Sequence, residues 1–229
     1  MSNAYTLALH KHRLSAWAAA TAANNSTACR FDVLLGKRML EAAAHKMAGE
    51  KAKKMPEEVL FLGEKPEVFH FKSQEEFNQW HEKACSALLD NQWLDGLLKD
   101  ASERKKKDAK TLTRSSFTYG IAAKLINVYL KVYATPVCSK DAHPGFRFIH
   151  PPLDALLFQS LRKLKDRNLD FSPEKVNGLP MRSSYPRIPN WTQLEKKHYE
   201  EIIATITKFC QQEGMDGLWE IEKYWRGYQ

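Results

Sequence analysis

Apolar residues recur at helical spacing along most of the chain, most clearly in residues 115–134, SSFTYGIAAKLINVYLKVYA. At about 100° of rotation per residue, one arc of this segment collects the side chains of Phe117, Ile121, Leu125, Val128 and Val132. A second apolar segment, residues 148–161, follows after a loop. The best strand candidate, residues 67–71, is short and isolated. The sequence therefore predicts an all-α, multi-helix fold.

Capping and breaker residues predict where individual helices begin and end. Ser73, with Glu76 three residues later, has the pattern of a capping box at the start of a helix. Residues 177–190 are rich in proline and basic residues, which indicates a loop. We expect a long helix over residues 191–212, because the helix-breaking Gly214 follows it.

Length and composition favour a globular protein. The chain has 229 residues, of which 43% are hydrophobic and 27% are charged. No apolar run approaches the ~20 residues that cross a bilayer, and no secretory leader is recognised. We therefore expect a cytoplasmic protein without a membrane partner. Residues 1–110 are expected to form an N-terminal helical part and residues 111–229 a second part, together one compact unit with two lobes about a central cleft.

Basic residues outnumber acidic residues, which gives a formal net charge of +8. This balance favours a polyanionic partner such as nucleic acid, although a basic protein without such a partner can have the same composition. Residues 104–110 and 182–187 are basic stretches that would either contact phosphates or simply be solvated.

The cysteines are far apart in sequence: Cys29, Cys85, Cys138 and Cys210. They form no CxxC pair, so a zinc site has little support. The better interpretation is buried free thiols in a reducing compartment, and no metal or cofactor is predicted.

Lys124 lies at the border of the apolar arc, on a flank that also carries Gly120, Asn127 and Lys131. Partial desolvation of a lysine lowers its pKa and frees the amine as a nucleophile. The simpler alternative is a lysine whose stem is buried and whose ammonium reaches water. Either interpretation fits Lys124 taken alone.

Asp154 follows Pro151-Pro152 and therefore stands where a helix is expected to start. A carboxylate in that position accepts backbone hydrogen bonds of the first helical turn. Taken alone, Asp154 is predicted to be a helix cap.

Together, a helix carrying Lys124, a loop, and a Pro-x-Asp helix start at Asp154 resemble the core of the helix-hairpin-helix DNA glycosylases. The separation of 30 residues between them is similar to that of the archaeal-type 8-oxoguanine DNA glycosylases. The long downstream helix, the break at Gly214 and a terminal helix ending in Arg226-Gly227 also look like that group. The resemblance covers about half of the chain.

The resemblance implies specific roles for these residues. Lys124 would be the nucleophile, Asp154 its essential carboxylate and Trp225 a residue of the base pocket. Base extrusion also needs flat side chains for stacking, for which Phe117 and Trp17 are candidates.

Other residues are candidates for contacts with the DNA backbone. Gly120 stands where the family has its hairpin glycine, and Lys131 lies on the flank of Lys124. Arg182 and Arg187 are the arginines of the proline-rich loop.

The function implied by the resemblance is a DNA glycosylase/AP lyase that acts on oxidised guanine in damaged duplex DNA through a lysine Schiff base, as a monomer. The alternative is a non-catalytic helical module that binds nucleic acid or a protein. That alternative predicts that Lys124 is no more sensitive to replacement than Lys131.

Overall fold

The computed structural model describes residues 15–22, 33–47, 71–90, 92–103, 113–134, 144–167, 169–184 and 186–225. Within these ranges the chain forms α-helices and 3-10 helices and contains no β-strand, which confirms the all-α prediction. The α-helices are α1 (residues 15–22), α2 (Val33–Met47), α3 (Gln74–Leu89), α4 (Leu94–Glu103), α5 (Tyr119–Ala134), α6 (Ala155–Leu161) and α7 (Lys196–Gln212). The 3-10 helices are Arg114–Ser116, Pro144–Phe148, Arg162–Arg167, Trp191–Gln193 and Leu218–Tyr224.

The predicted helix start at Ser73 is confirmed. The Ser73 side chain accepts a hydrogen bond from the backbone N–H of Glu76 at 3.1 Å. The Glu76 carboxylate in turn accepts the backbone N–H of Lys72 at 2.8 Å. These two bonds satisfy donors that have no partner inside the helix, and α3 therefore begins at Gln74.

The predicted continuous helix over residues 191–212 is wrong at its start. The backbone leaves the helical conformation at Leu194, which separates the Trp191–Gln193 turn from α7. The carbonyl of Leu194 accepts a hydrogen bond from the N–H of Gly120 at 3.0 Å, so a contact with α5 takes the place of helix continuation. The predicted end is confirmed, since Gly214 has a left-handed φ of +64°. Of the strand candidate, residues 67–70 lie outside the described residues, and Phe71 is in no strand.

Helix α5 runs through the middle of the core and is buried on nearly all sides. It is covered by α3, by α7 and by the Trp191–Gln193 turn. The buried apolar side chains form one cluster that extends from α1 to the Leu218–Tyr224 turn. The N-terminal and C-terminal parts predicted from the sequence therefore share a core.

Gly120 allows the closest approach between α5 and its neighbours. A Cβ atom at this position would lie 2.0 Å from the carbonyl oxygen of Trp191 and 3.0 Å from the Cβ of Leu194. The first distance is a severe clash with backbone, and only glycine permits the helix and the turn to meet this closely.

The described helices also bear on the predictions about membranes, metals and thiols. Among them, none is long and apolar enough to span a membrane. No group of three His, Cys, Asp or Glu side chains that could hold a metal is found in the described part of the chain. Cys85 and Cys210 are buried free thiols, whereas Cys29 and Cys138 lie outside the described residues.

Gly120→Ala is expected to lower the free energy of unfolding by about 1–3 kcal/mol or more, because the added methyl group would push the backbone of Trp191 away from α5. The matched control is Gly96→Ala on α4, where nothing lies within 4 Å of the added Cβ. That control is expected to raise stability by roughly 0.5–1 kcal/mol, since alanine restricts the unfolded chain. Urea unfolding of both variants measures the difference, and equal stabilities would contradict the close contact.

Candidate active site

One face of α5 carries Lys124, Asn127 and Lys131 at positions i, i+3 and i+7. Each of the three side chains contacts an element that follows α5 in the chain. Lys124 is 7% exposed and Asn127 is fully buried, so these two positions lie inside the protein, whereas the Lys131 side chain reaches the surface. The border position predicted for Lys124 becomes interior because α7 and the Trp191 turn cover that flank of α5.

The ammonium of Lys124 lies between a carboxylate and an indole ring. Its Nζ is 3.7 Å from Oδ2 of Asp154 and 4.3 Å from the centroid of the Trp191 ring. The ammonium and the Asp154 carboxylate therefore form an ion pair, and the indole ring lies within the range of a cation–π contact with the ammonium. The structure thus brings together Lys124 and Asp154, the two residues for which the sequence analysis predicts catalytic roles.

The Asp154 carboxylate uses its two oxygens differently. Oδ1 accepts the backbone N–H of Leu157 at 2.8 Å and caps α6, as the sequence predicts. Oδ2 faces Lys124. The cap fixes the orientation of the carboxyl group, so the oxygen that faces the amine is held by the start of a helix.

A second ion pair lies beside the first one. Lys131 on α5 pairs with Glu222 of the Leu218–Tyr224 turn. Burial raises the pKa of Glu222, Lys131 opposes that rise, and the negative charge of Asp154 adds to it. The charge of Asp154 is therefore felt at Glu222.

Asn127 connects the lysine-bearing helix to the segment that leads to Asp154. Its side-chain N–H groups donate to the carbonyl of Pro151 at 3.1 Å and to the hydroxyl of Tyr199 at 2.9 Å. Its Oδ1 lies 2.9 Å from Nε2 of His81. Because Pro151 precedes Asp154 by three residues, this buried amide sets the distance between α5 and the start of α6.

Two buried histidines extend this polar network to α3. His150 places Nδ1 3.0 Å from the hydroxyl of Tyr199 and Nε2 2.9 Å from Oδ1 of Asn78. His81 stacks on Tyr199 with the ring centroids 5.5 Å apart and the planes 6° apart. Burial lowers the pKa of His81 to about 4. Burial, together with the charge of His81, also lowers the pKa of His150 well below its usual value.

The aromatic residues predicted for a base pocket occupy different environments. Phe117 is 4% exposed, and its ring belongs to the core. Trp17 is 57% exposed on α1. Trp225 is half-buried against the core, immediately after the turn that carries Glu222.

The residues predicted to contact the DNA backbone are also separated. The N–H of Gly120 is used inside the protein by the carbonyl of Leu194. Lys131 is engaged by Glu222. Arg182 and Arg187 lie together on the loop before Trp191 and line a cavity with α6.

Sequence reasoning missed Trp191 and Glu222 as neighbours of the lysine. Both reach the site through packing between elements that are distant in sequence. Asn127 carried a usable signal, because a polar residue at i+3 from Lys124 on an otherwise apolar helix needs a buried partner.

Comparison of the chain with protein-family models, with curated proteins and with solved structures finds no significant match. A functional assignment therefore depends on the chemistry of the site.

The buried histidines predict a loss of stability in mild acid. Histidine in the unfolded chain binds a proton near pH 6.5, whereas His81 in the folded chain does so only near pH 4. As the pH falls, the unfolded state therefore binds protons that the folded state does not bind, and the free energy of unfolding decreases. Between pH 6.5 and 5 we expect His81 to lower the free energy of unfolding by roughly 1–2 kcal/mol, and His150, whose pKa is also lowered by burial, to act in the same direction.

Urea unfolding at pH 7.5, 6.5 and 5 measures this effect. His81→Gln keeps a side-chain donor for Asn127 and removes the titrating ring, so its stability should depend less steeply on pH. An unchanged slope in the His81→Gln variant would contradict the assignment of this effect to His81.

Proposed function

We propose that this protein is a DNA base-excision glycosylase with AP lyase activity, which acts on oxidised guanine through a Schiff base on Lys124. The observation that carries the proposal is the position of the Lys124 amine, held between the capped carboxylate of Asp154 and the ring of Trp191. The order of α5, loop and α6, with lysine on the first helix and aspartate at the start of the second, supports a helix-hairpin-helix-like arrangement for the same activity.

The chemistry uses both charged groups. The neutral amine of Lys124 attacks C1′ of the damaged nucleoside, the glycosidic bond breaks, and the base leaves with the bonding electrons. The attached nitrogen then loses one proton, which the departing base anion takes up. Expulsion of O4′ from C1′ opens the sugar ring, O4′ takes up a proton, and the nitrogen, which keeps its other hydrogen, forms an iminium with C1′. Removal of a C2′ proton then expels the 3′ phosphate by β-elimination and cleaves the strand.

Asp154 is suited to two tasks in this sequence. Its Oδ2 can accept a proton from the ammonium, and its negative charge can stabilise positive charge that develops on the sugar. Burial of Lys124 favours the neutral amine, whereas Asp154 as a carboxylate favours the ammonium. Transfer of a proton from the ammonium to Oδ2 would free the amine for attack.

The proposed reaction also requires that an extruded nucleotide can reach the amine of Lys124. Lys124 is 7% exposed, so an extruded nucleotide must displace part of its cover, and the Trp191 turn is the element that contacts the amine. A flat indole over the amine is also a surface on which a base can stack. The net charge of +8 supports attraction of the phosphate backbone.

Borohydride trapping tests the Schiff base. With duplexes that contain 8-oxoguanine or an abasic site, we expect a covalent protein–DNA adduct that is lost in Lys124→Gln. Lys124→Arg keeps the positive charge beside Asp154 without a usable nucleophile and should also form no adduct. Lys131→Gln, seven residues further along the same helix face, should retain at least half of the wild-type yield.

Each result of this assay has a defined meaning. An adduct with the abasic duplex alone would support the lyase and reject oxidised guanine as the substrate. An adduct that persists in Lys124→Arg would place the nucleophile elsewhere. Thermal melting of each variant shows whether a missing adduct reflects a missing fold.

Asp154→Asn separates the structural role of Asp154 from its charge. Asparagine caps helices as well as aspartate does, so α6 should keep its first turn, whereas the amine loses its proton acceptor. We expect the rate of adduct formation to fall at least tenfold while the far-UV circular dichroism spectrum stays unchanged. A variant that reacts at the wild-type rate would show that the carboxylate serves only as a cap.

A non-catalytic function is the second candidate. The 7% exposure of Lys124 and the internal hydrogen bond of Gly120 also fit a structural ion pair in a helical binding module. That candidate predicts duplex binding without trapping, and equal binding by the Lys124→Arg and Lys131→Gln variants.

A further inference from the structure

A cavity of about 480 Å³ lies between α6 and the loop that precedes Trp191. Its volume is within the range of small-molecule sites. Phe158 lines it from α6, Arg162 from the start of the following 3-10 helix, and Arg182 and Arg187 from the loop. Neither Lys124 nor Asp154 contributes to its lining.

Backbone hydrogen bonds hold the loop in shape. The N–H of Arg182 donates to the carbonyl of Ile188 at 2.9 Å, and the N–H of Asn190 donates to the carbonyl of Pro180 at 2.7 Å. Met181 and Pro189 form a β-bridge between the same two arms. Arg182 and Arg187 are therefore presented from opposite arms of a fixed loop, on the side that faces the cavity.

The two guanidinium groups are available to a ligand. Arg187 is exposed and Arg182 is half-buried, and neither forms an ion pair with any residue that the structure describes. The acidic residues of the same cavity are Asp170 and Glu174. Asp170 accepts hydrogen bonds from the backbone N–H and the hydroxyl of Ser172 at 3.1 and 3.3 Å, so its oxygens are already used by the local turn.

Apolar side chains form more than half of the cavity's remaining lining, which also includes Arg162, Ser172 and Ser183. Its lining includes the side chains of Phe158, Leu169, Phe171, Met181 and Ile188 together with Pro173 and Pro189. A ligand for this cavity therefore needs an anionic group for the arginines and an uncharged, partly apolar body for the remaining surface.

We infer that the cavity binds a phosphate ester of nucleotide size, with its phosphate held by Arg182 and Arg187. Guanidinium groups match the geometry of phosphate oxygens and form paired hydrogen bonds with them. The sugar and base of the nucleotide then cover the apolar lining. The free phosphate monoester of a mononucleotide and a phosphodiester of a nucleic-acid strand share this chemistry.

The position of the cavity links it to the candidate active site without making it part of that site. Phe158 follows Asp154 on α6 by one helical turn, or about 6 Å along the axis, and Arg162 begins the 3-10 helix that continues from α6. A strand whose damaged nucleotide reaches Lys124 could therefore place a neighbouring phosphate here. The inference depends on the cavity and the loop, and it holds whether or not Lys124 forms a Schiff base.

Calorimetric titration of the full chain tests this inference. The ligands are 2′-deoxyadenosine 5′-monophosphate, 2′-deoxyadenosine, which lacks the phosphate, and a single-stranded oligonucleotide of deoxyadenosines. We expect the double variant Arg182→Gln/Arg187→Gln to bind the phosphorylated ligands at least tenfold more weakly than the wild type. Arg182→Lys/Arg187→Lys should bind with intermediate affinity, because lysine keeps the charge but loses the paired hydrogen bonds.

The matched control is Lys72→Gln/Lys208→Gln, which removes the same charge from exposed positions outside the cavity. It should keep the wild-type affinity for the monophosphate. Lys124→Gln should also keep it, so loss of Schiff-base chemistry and loss of this site give different results.

The ligands distinguish the two sources of the phosphate. A loss confined to the oligonucleotide in the arginine variant supports the site and identifies a strand phosphodiester. An equal loss for the monophosphate supports the site and identifies a free nucleotide as sufficient. Equal affinities for deoxyadenosine and its monophosphate would overturn the inference. It would also be overturned if Arg182→Gln/Arg187→Gln bound the phosphorylated ligands as tightly as the control Lys72→Gln/Lys208→Gln.

Discussion

The rest of the structure depends on the burial of a polar face of α5. A central helix that is covered on nearly all sides cannot leave its polar groups unpaired, because an unsatisfied buried donor or acceptor costs about 1–3 kcal/mol. Lys124 therefore pairs with Asp154, and Asn127 with Pro151 and Tyr199. The partly exposed Lys131 pairs with the largely buried carboxylate of Glu222. Each pairing fixes an element that follows α5 in the chain. The need to pair these polar groups thus determines the positions of α7, of the start of α6 and of the Leu218–Tyr224 turn.

Gly120 gives this arrangement its second constraint. Without a side chain, α5 approaches the Trp191 turn until its N–H bonds to the carbonyl of Leu194. That contact ends the helical conformation between Trp191 and α7 and holds the indole ring over the amine of Lys124, one turn further along α5. The environment of the lysine is therefore a consequence of backbone packing four residues away.

Local patterns predict much of the fold but only half of the site. The helical class, the start at Ser73 and the cap at Asp154 follow from spacing and capping residues, whose effects act within one helical turn. Lys124 and Asp154 could be paired through a family resemblance. Trp191 and Glu222 could not, because they reach the amine and its neighbour through contacts between distant segments that leave no local pattern. The break at Leu194 was missed for the same reason.

The geometry of the Lys124–Asp154 pair limits what this pair can contribute to stability. Two charges removed from water regain their hydration energy only when they form close, well-directed hydrogen bonds, and a buried pair can often be replaced by apolar residues with no loss or with a gain of about 1–4 kcal/mol. Here the two charged atoms are 3.7 Å apart, beyond a direct hydrogen bond, and one carboxylate oxygen is used as a helix cap. As a source of stability this is an inefficient arrangement. The proposed Schiff-base chemistry would use the same arrangement differently, because a carboxylate held by the helix start can accept a proton from the amine.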